Sequence, residues 1–230
     1  MTNTILEVKN LSKIFTNMTD YVLKDINLTI DKGDFVSILG ESGSGKSTLL
    51  TILGGMDMPT EGEVLLEGTD ITKLKEKDLA HLRRTRIGFV FQFFNLAPYL
   101  TVEENIVLPM VLERKTQKDY GEKLKYYLEY LKLTDLAKKM PGTLSGGEQQ
   151  RVAIARGLIY QPDIIFLDEP TGNLDSKSAK EIMELLKRIN GEFNTTIVQV
   201  THSETNASYG NKIIRIKDGN IIEEMVLAEK

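Results

Sequence analysis

The sequence predicts a mixed α/β fold: a parallel sheet with an antiparallel β flank and an inserted α-helical subdomain. Three observations predict it. Short β-like segments open the chain, strand and helix patterns then alternate, and residues from about 101 to 160 become mostly helical. Alternation points to parallel pairing, because parallel strands need a crossover that a helix usually supplies.

Residues 5–8, 26–30 and 35–39 are rich in β-branched and apolar side chains, with the turn Asp31-Lys32-Gly33 before the third. Leu49, Leu50, Ile52 and Leu53 make the segment from Thr48 onward a helix directly after the 35–39 strand. Residues 87–91 form another compact apolar strand. Helical patterns follow over 101–112, 120–131 and 147–160. In the second of these, Leu124, Tyr127, Leu128 and Leu131 share one face, and the charged face is a solvated one. Residues 164–167 and 196–200 are almost wholly apolar, as strands covered on both faces must be. Residues 176–189 between them read as a crossover helix, and 212–223 as a hairpin turning at Asp218-Gly219.

Composition narrows the function. With 230 residues, 41% hydrophobic and 27% charged, the chain is an ordinary globular protein able to bury a core without staples. It has no cysteine, which excludes disulfides, thiolate metal sites and cysteine nucleophiles and fits a reducing compartment. A net charge of −4 with no long basic run argues against nucleic acid as partner. Arg83, Arg84 and Arg86 read as a solvated face or local ion pairs. No apolar stretch approaches the roughly 18 residues of a membrane span, and the N-terminal segment lacks the pattern of a signal peptide.

Four motifs carry chemistry. Gly40-Glu41-Ser42-Gly43-Ser44-Gly45-Lys46-Ser47 fits G-x-x-x-x-G-K-[ST] at every fixed position, between a strand and a helix. Its glycines let backbone N–H groups curl toward phosphate oxygens, and the helix N-terminus adds positive charge. Lys46 is placed to reach the β and γ phosphates of a nucleotide, and Ser47 to ligate Mg²⁺. Asp168 and Glu169 end a buried strand and point in different directions. Asp168 suits the cation beside Ser47, and Glu169 suits activation of water. Ser145-Gly146-Gly147 precedes a helix beginning near Glu148. It is either a second anion-reading element, supplied to another copy of the chain, or an ordinary Ser N-cap. Thr201-His202 ends the last apolar strand, whereas His81 lies in a polar, Arg-rich stretch with no motif.

Together these motifs, in this order and over essentially the whole chain, resemble an ABC-transporter ATPase subunit. The resemblance implies a P-loop NTPase (RecA-like) core over 1–95 and 160–230, with residues of about 96–159 as the subdomain carrying the signature. It implies ATP and Mg²⁺ as ligands, with Gly40 through Ser47 and Thr48 around the phosphates, and Ser47, Gln92 and Asp168 at the metal. Glu169, His202 and Lys46 become the catalytic group, His202 as the switch histidine. It implies a head-to-tail homodimer in which Ser145, Gly146 and Gly147 complete the partner's site and Asp175, in the D-loop Asn173-Leu174-Asp175, crosses the interface. Phe15 stands first for stacking on adenine and Tyr21 second, with core packing the alternative for both. Three departures stand out: Glu148 replaces the commoner Gln, Gly172-Asn173 replaces Ser-Ala, and Ser203 follows His202 where Asp is frequent.

The wording around Gln92, Asn105, Glu148 to Arg156 and Pro170 to Asp175 resembles the MacB/LolD/BceA branch. That branch serves permeases with a large FtsX/MacB-like extracytoplasmic domain and moves macrolides, lipoproteins or antimicrobial peptides. Such a subunit sits peripherally on the cytoplasmic face, held by its permease. Phe93, Phe94, Leu96 and Leu100 are then either a groove for a permease helix or the subdomain's core. An FtsE-like regulator of cell-wall hydrolases is the alternative function. A DNA-repair or translation ABC protein fits less well, because the stretch between Ser47 and Ser145 is too short for a long coiled coil and the chain has one set of motifs.

Overall fold

A computed structural model of the chain describes residues 3–16 and 19–227. Ten strands and seven α-helices are formed by them. The strands are β1 (Thr4–Lys13), β2 (Leu23–Asp31), β3 (Phe35–Leu39), β4 (Glu61–Leu66), β5 (Thr69–Asp70), β6 (Ile87–Val90), β7 (Ile164–Asp168), β8 (Thr196–Thr201), β9 (Lys212–Lys217) and β10 (Asn220–Val226). The helices are α1 (Lys46–Leu53), α2 (Glu76–Thr85), α3 (Val102–Leu112), α4 (Gln117–Tyr130), α5 (Gly146–Leu158), α6 (Ser176–Phe193) and α7 (Glu204–Ala207).

Two sheets organise them. One has the order β2-β1-β4-β5 and is antiparallel throughout. The other has the order β10-β9-β3-β8-β7-β6, parallel except for the β9–β10 hairpin. Every residue of β3 and β8 is buried, because each is paired on both sides and covered on both faces. In β2 the buried residues Leu23, Ile26, Leu28 and Ile30 alternate imperfectly with exposed ones, so one face meets the core and one meets water. Strand β4 and helix α2 lie in a stretch whose short, charge-broken apolar pattern gave no sequence signal. The hairpin turns where Asp218 and Gly219 both take positive φ.

Two apolar clusters result. One joins the antiparallel sheet to α1 and the near face of the parallel sheet. The other joins α3, α4 and α5 to α6 and the far face, through residues such as Val90, Ile165, Leu167 and Ile197. No helix of the described residues is long and apolar enough to cross a membrane. Arg83, Arg84 and Arg86 each pair with carboxylates of this chain, Glu76, Glu113 and both Glu67 and Asp163 respectively. His81 likewise meets Glu113 at 2.9 Å.

Three helices of the second cluster, α3, α4 and α5, start on matched caps. Thr101 with Glu104, Thr116 with Asp119 and Ser145 with Glu148 all form capping boxes. Each carboxylate accepts from the N-cap residue, which holds its pKa below the usual value. A depressed carboxylate stabilises the fold above its unfolded pKa, and that stability is lost as pH falls through the folded pKa. Helix signal in circular dichroism is therefore expected to fall on acidification below about pH 4. A Glu104→Gln, Asp119→Asn, Glu148→Gln variant should show a flatter fall, and an unchanged acid profile would contradict the assignment.

Candidate functional site

The phosphate-loop sequence runs from the end of β3 into α1. Gly45 caps that helix with φ of 96°, a left-handed conformation that glycine adopts freely. A Cβ at Gly40 would lie 2.3 Å from the Ile216 carbonyl oxygen, so β9 packs directly against the start of the loop. The Ser44 hydroxyl is buried there with no hydrogen-bond partner. Lys46 is largely buried and donates to the Glu41 carbonyl at 2.7 Å, curling back over the loop. Burial pushes its ammonium pKa down, against the opposing pull of Glu169 and Asp168. A desolvated cation bonded to one neutral carbonyl, beside an unpaired hydroxyl and a helix N-terminus, favours an anion.

The ends of β7 and β8 face this loop. Ser47 donates to Asp168 Oδ1 at 2.9 Å, across 121 positions of chain. Glu169 is the first residue past β7 and takes φ of 45°. That left-handed backbone is fixed on both sides: Glu169 N donates to the Val200 carbonyl at 3.1 Å, and Gly172 N donates to the Glu169 carbonyl at 3.0 Å. Its carboxylate meets His202 Nδ1 at 2.9 Å. The two adjacent acids thus diverge, one to the loop and one to the histidine. His202 follows β8, whose buried Gln199 donates to Ser37 and to the Asn206 carbonyl and so anchors α7 just beyond it.

The donor set fits a small hard cation. Ser47 and Asp168 present oxygen only, and no cluster of three or more His, Cys, Asp or Glu among the described residues could cage a metal alone. A cation at this pair would take further ligands from phosphate and water, the usual arrangement for Mg²⁺.

The remaining expected residues fall in three places. Phe15 and Tyr21 lie in the β1–β2 connection, 39% and 44% exposed, so neither is a core residue. The connection returns to the loop at Val22, whose carbonyl lies 2.8 Å from where a Gly45 Cβ would be. Lys13 holds Phe15 from one face, its Nζ 4.9 Å from the ring centroid while bonded to Asp57 and Met58. Gln92 follows β6, beside Gly172. Ser145, Gly146 and Gly147 start α5 next to their own chain's D-loop, where Gly146 faces Leu174 and Gly147 faces Ser178.

Ser145 is an N-cap in full: it accepts from Glu148 N at 3.4 Å and donates to the Glu148 carboxylate at 2.8 Å. Asp175 caps α6, accepting from Lys177 N, Ser178 N and the Ser178 hydroxyl, which holds its pKa down. Among the apolar groove candidates, Phe94 and Leu96 pack onto the helical cluster while Phe93 is 71% exposed.

Sequence reasoning missed two connectors. Gln150 is buried in α5 and donates to the Pro170 carbonyl at 2.7 Å, directly after Glu169. Arg156 donates to the carbonyls of Asn95 at 2.6 Å and Phe94 at 2.8 Å, both left-handed residues. The available signal was a polar or basic residue on a helix stripe otherwise made of Val152, Ala153 and Ala155.

The comparisons agree with this geometry. The ABC transporter family profile matches residues 23–172. The lipoprotein-releasing system ATP-binding protein LolD of Aquifex aeolicus is 48% identical over 221 residues, 96% of this chain and 97% of that protein. The bacitracin export ATP-binding protein BceA of Halalkalibacterium halodurans is 44% identical over 223 residues, 96% of this chain and 88% of that protein. The dimeric post-hydrolysis structure of the cassette MJ0796 of Methanocaldococcus jannaschii, bound to ADP and Pi, superposes with a TM-score of 0.89 at 43% identity, covering 98% of this chain and all of that one. With motif geometry and whole-length similarity in accord, the chain belongs to the ABC transporter family as an ATP-binding subunit of the LolD, BceA and MacB type, and it is an ATPase.

Proposed function

We propose that the chain is the motor subunit of a membrane exporter or extractor, closing as a head-to-tail homodimer on two Mg-ATP. The observation that supports this best is the double pairing at one strand end, Ser47 with Asp168 and Glu169 with His202. On this reading the first pair supplies the metal-side groups and the second the water-side groups. Within each chain, 1–95 and 160–230 form the nucleotide-binding core, and about 96–159 the helical subdomain that carries Ser145-Gly146-Gly147.

Each residue then has a task. Backbone N–H groups from Gly40 to Ser47, with Thr48 behind them, cradle the phosphates. Lys46 leaves the Glu41 carbonyl for the β and γ oxygens. Ser47, Asp168 and Gln92 would hold Mg²⁺, which when bound supplies charge neutralisation on the transferred phosphoryl. Glu169 accepts the proton of the attacking water, and His202 fixes the carboxylate's orientation and reaches the γ-phosphate. Phe15 stacks on adenine, its pose held by Lys13. Ser145, Gly146 and Gly147 offer a hydroxyl and helix N-terminus to the partner's γ-phosphate, for which Ser145 must release Glu148. Asp175, spent on its own helix cap, positions the D-loop at the interface.

The permease partner carries an FtsX/MacB-like extracytoplasmic domain and recruits the subunit to the cytoplasmic face. Its cargo is of the lipoprotein, antimicrobial-peptide or macrolide kind. Phe93 and Tyr99, 71% and 90% exposed on the loop between β6 and α3, are the apolar contacts for a permease helix. Phe94 and Leu96 instead hold that loop to the subdomain.

Expressing the chain with its permease and isolating the complex tests the partner. Phe93→Glu should abolish permease-stimulated hydrolysis and change basal hydrolysis less than about twofold, since a surface substitution rarely shifts stability by more than ~0.5 kcal/mol. Phe94→Glu should lower folding stability as well, because it buries a charge against the helical cluster. Retained stimulation in Phe93→Glu would place the docking surface elsewhere.

A further inference from the structure

The two positions at which the D-loop departs from Ser-Ala both meet the same residue. Asn173 Nδ2 donates to the backbone carbonyl of Gln92 at 2.8 Å. A Cβ at residue 172 would lie 2.9 Å from Gln92 Nε2, 3.4 Å from its Cδ and 3.5 Å from its Cγ. Gly172 thus leaves the space that the Gln92 side chain crosses, and Asn173 grips the backbone from which it springs.

Gln92 needs such a grip. The ladder between β6 and β7 ends at Val90, so no strand pairing reaches the Gln92 carbonyl. Beyond it, Phe94 and Asn95 take φ of 61° and 49°, so no regular structure holds it from that side either. The D-loop is itself rigid here. Gly172 N donates to the Glu169 carbonyl at 3.0 Å, Leu174 N donates to the Thr171 carbonyl at 3.1 Å, and Asn206 donates to the Thr171 hydroxyl at 2.8 Å. A side-chain amide bonded to a free carbonyl transmits that rigidity to one point, the start of the Gln92 side chain.

We propose that Asn173 is a positioning residue for Gln92, with Gly172 as the seat of the Gln92 side chain. The D-loop that faces a second copy and the loop that faces the membrane partner then move as one body. This rests on the reading of Gln92 as a residue that approaches Mg²⁺. It assigns a reason to the Gly-Asn pair, because both positions meet Gln92.

A double-mutant cycle on the purified full chain at saturating Mg-ATP tests it. Asn173→Ala should lower kcat roughly tenfold, in the range expected when a reacting group is misplaced by a fraction of an ångström. Asn173→Asp keeps the shape but has no donor, and should lose as much. KM for ATP and the thermal midpoint should stay near those of the parent, which a merely structural role would not produce. Gly172→Ser, which crowds Gln92, should share the kcat defect. In a Gln92→Ala background the same Asn173 substitutions should change kcat by less than about twofold, because the positioned group is gone. Equal losses in both backgrounds, or no loss in the parent, would overturn the proposal. If Gln92→Ala alone leaves kcat intact, the reading of Gln92 fails and the positioning role falls with it. If Gln92→Ala is costly but the losses multiply, only the link through Asn173 fails.

Discussion

Glu169→Gln is expected to lower kcat by about 10²–10⁴-fold, the usual contribution of a positioned general base. The geometry makes the substitution clean. Glu169 sits at φ of 45°, held by bonds to Val200 and Gly172 that involve only its backbone. Gln keeps the side chain's length and can still bond His202, so the loop should not move. What it lacks is a carboxylate to take the proton from water. ATP should therefore bind with near-parent affinity and remain uncleaved. Single-turnover hydrolysis read by phosphate release checks this. A rate within tenfold of the parent would mean that Glu169 is not the base, and His202 would then be the group to examine.

Lys46→Met is expected to remove ATP binding without weakening the empty chain. Met preserves most of the apolar stem, so packing in α1 is kept. It removes an ammonium that burial disfavours and whose only hydrogen bond among the described residues is to the Glu41 carbonyl. The parent should gain about 2.7 kcal/mol when ATP is present at a hundred times its Kd, or roughly 5–10 °C in thermal midpoint. The variant should show a ligand-free midpoint at or above that of the parent and almost no ATP-induced rise. Retained stabilisation by ATP would show that the phosphates bind elsewhere. A large drop in the ligand-free midpoint would show that Lys46 is structural.

How much of this was legible in sequence follows from how local each cause is. Gly40 to Ser47, Asp168 and Glu169 are strand-end residues in fixed local contexts, so motif spacing singled them out, whereas the role proposed for His202 came from the family resemblance. The buried strands β3, β7 and β8 announced themselves because both faces are covered. Strand β4 and helix α2 did not: Val64-Leu65-Leu66 is a run of only three apolar residues between glutamates and glycines, and α2 buries only Leu79. Helix α5 began at Gly146, slightly earlier than expected, because the Ser145–Glu148 capping box offsets the low propensity of the glycines. The long-range connectors were illegible. Asn173 to Gln92 and Arg156 to Phe94 and Asn95 join segments brought together only by the fold. A sequence shows that Asn173 is unusual but not what it touches.

The division of the groove candidates makes the same point. Phe93, Phe94 and Leu96 are indistinguishable by hydropathy. The left-handed turn at Phe94 and Asn95, bonded to Arg156, sends Phe94 inward and leaves Phe93 in solvent. Backbone conformation, not composition, decides which aromatic can meet a partner.

In the proposed function a working site needs two copies, one giving the phosphate loop and the other giving the helix that starts at Ser145. The most direct measurement is the mass of the Glu169→Gln chain by sedimentation, with and without Mg-ATP, compared with the same chain carrying Gly147→Asp. A Cβ at Gly147 would lie 3.4 Å from Ser178, ordinary contact, so the added side chain fits sterically, and its carboxylate would repel a phosphate brought by a second copy. Glu169→Gln is expected to form an ATP-dependent dimer, and to become a monomer that still binds ATP once Gly147→Asp is added. A dimer that persists in the double variant, or a monomer under saturating Mg-ATP in the single one, would contradict it.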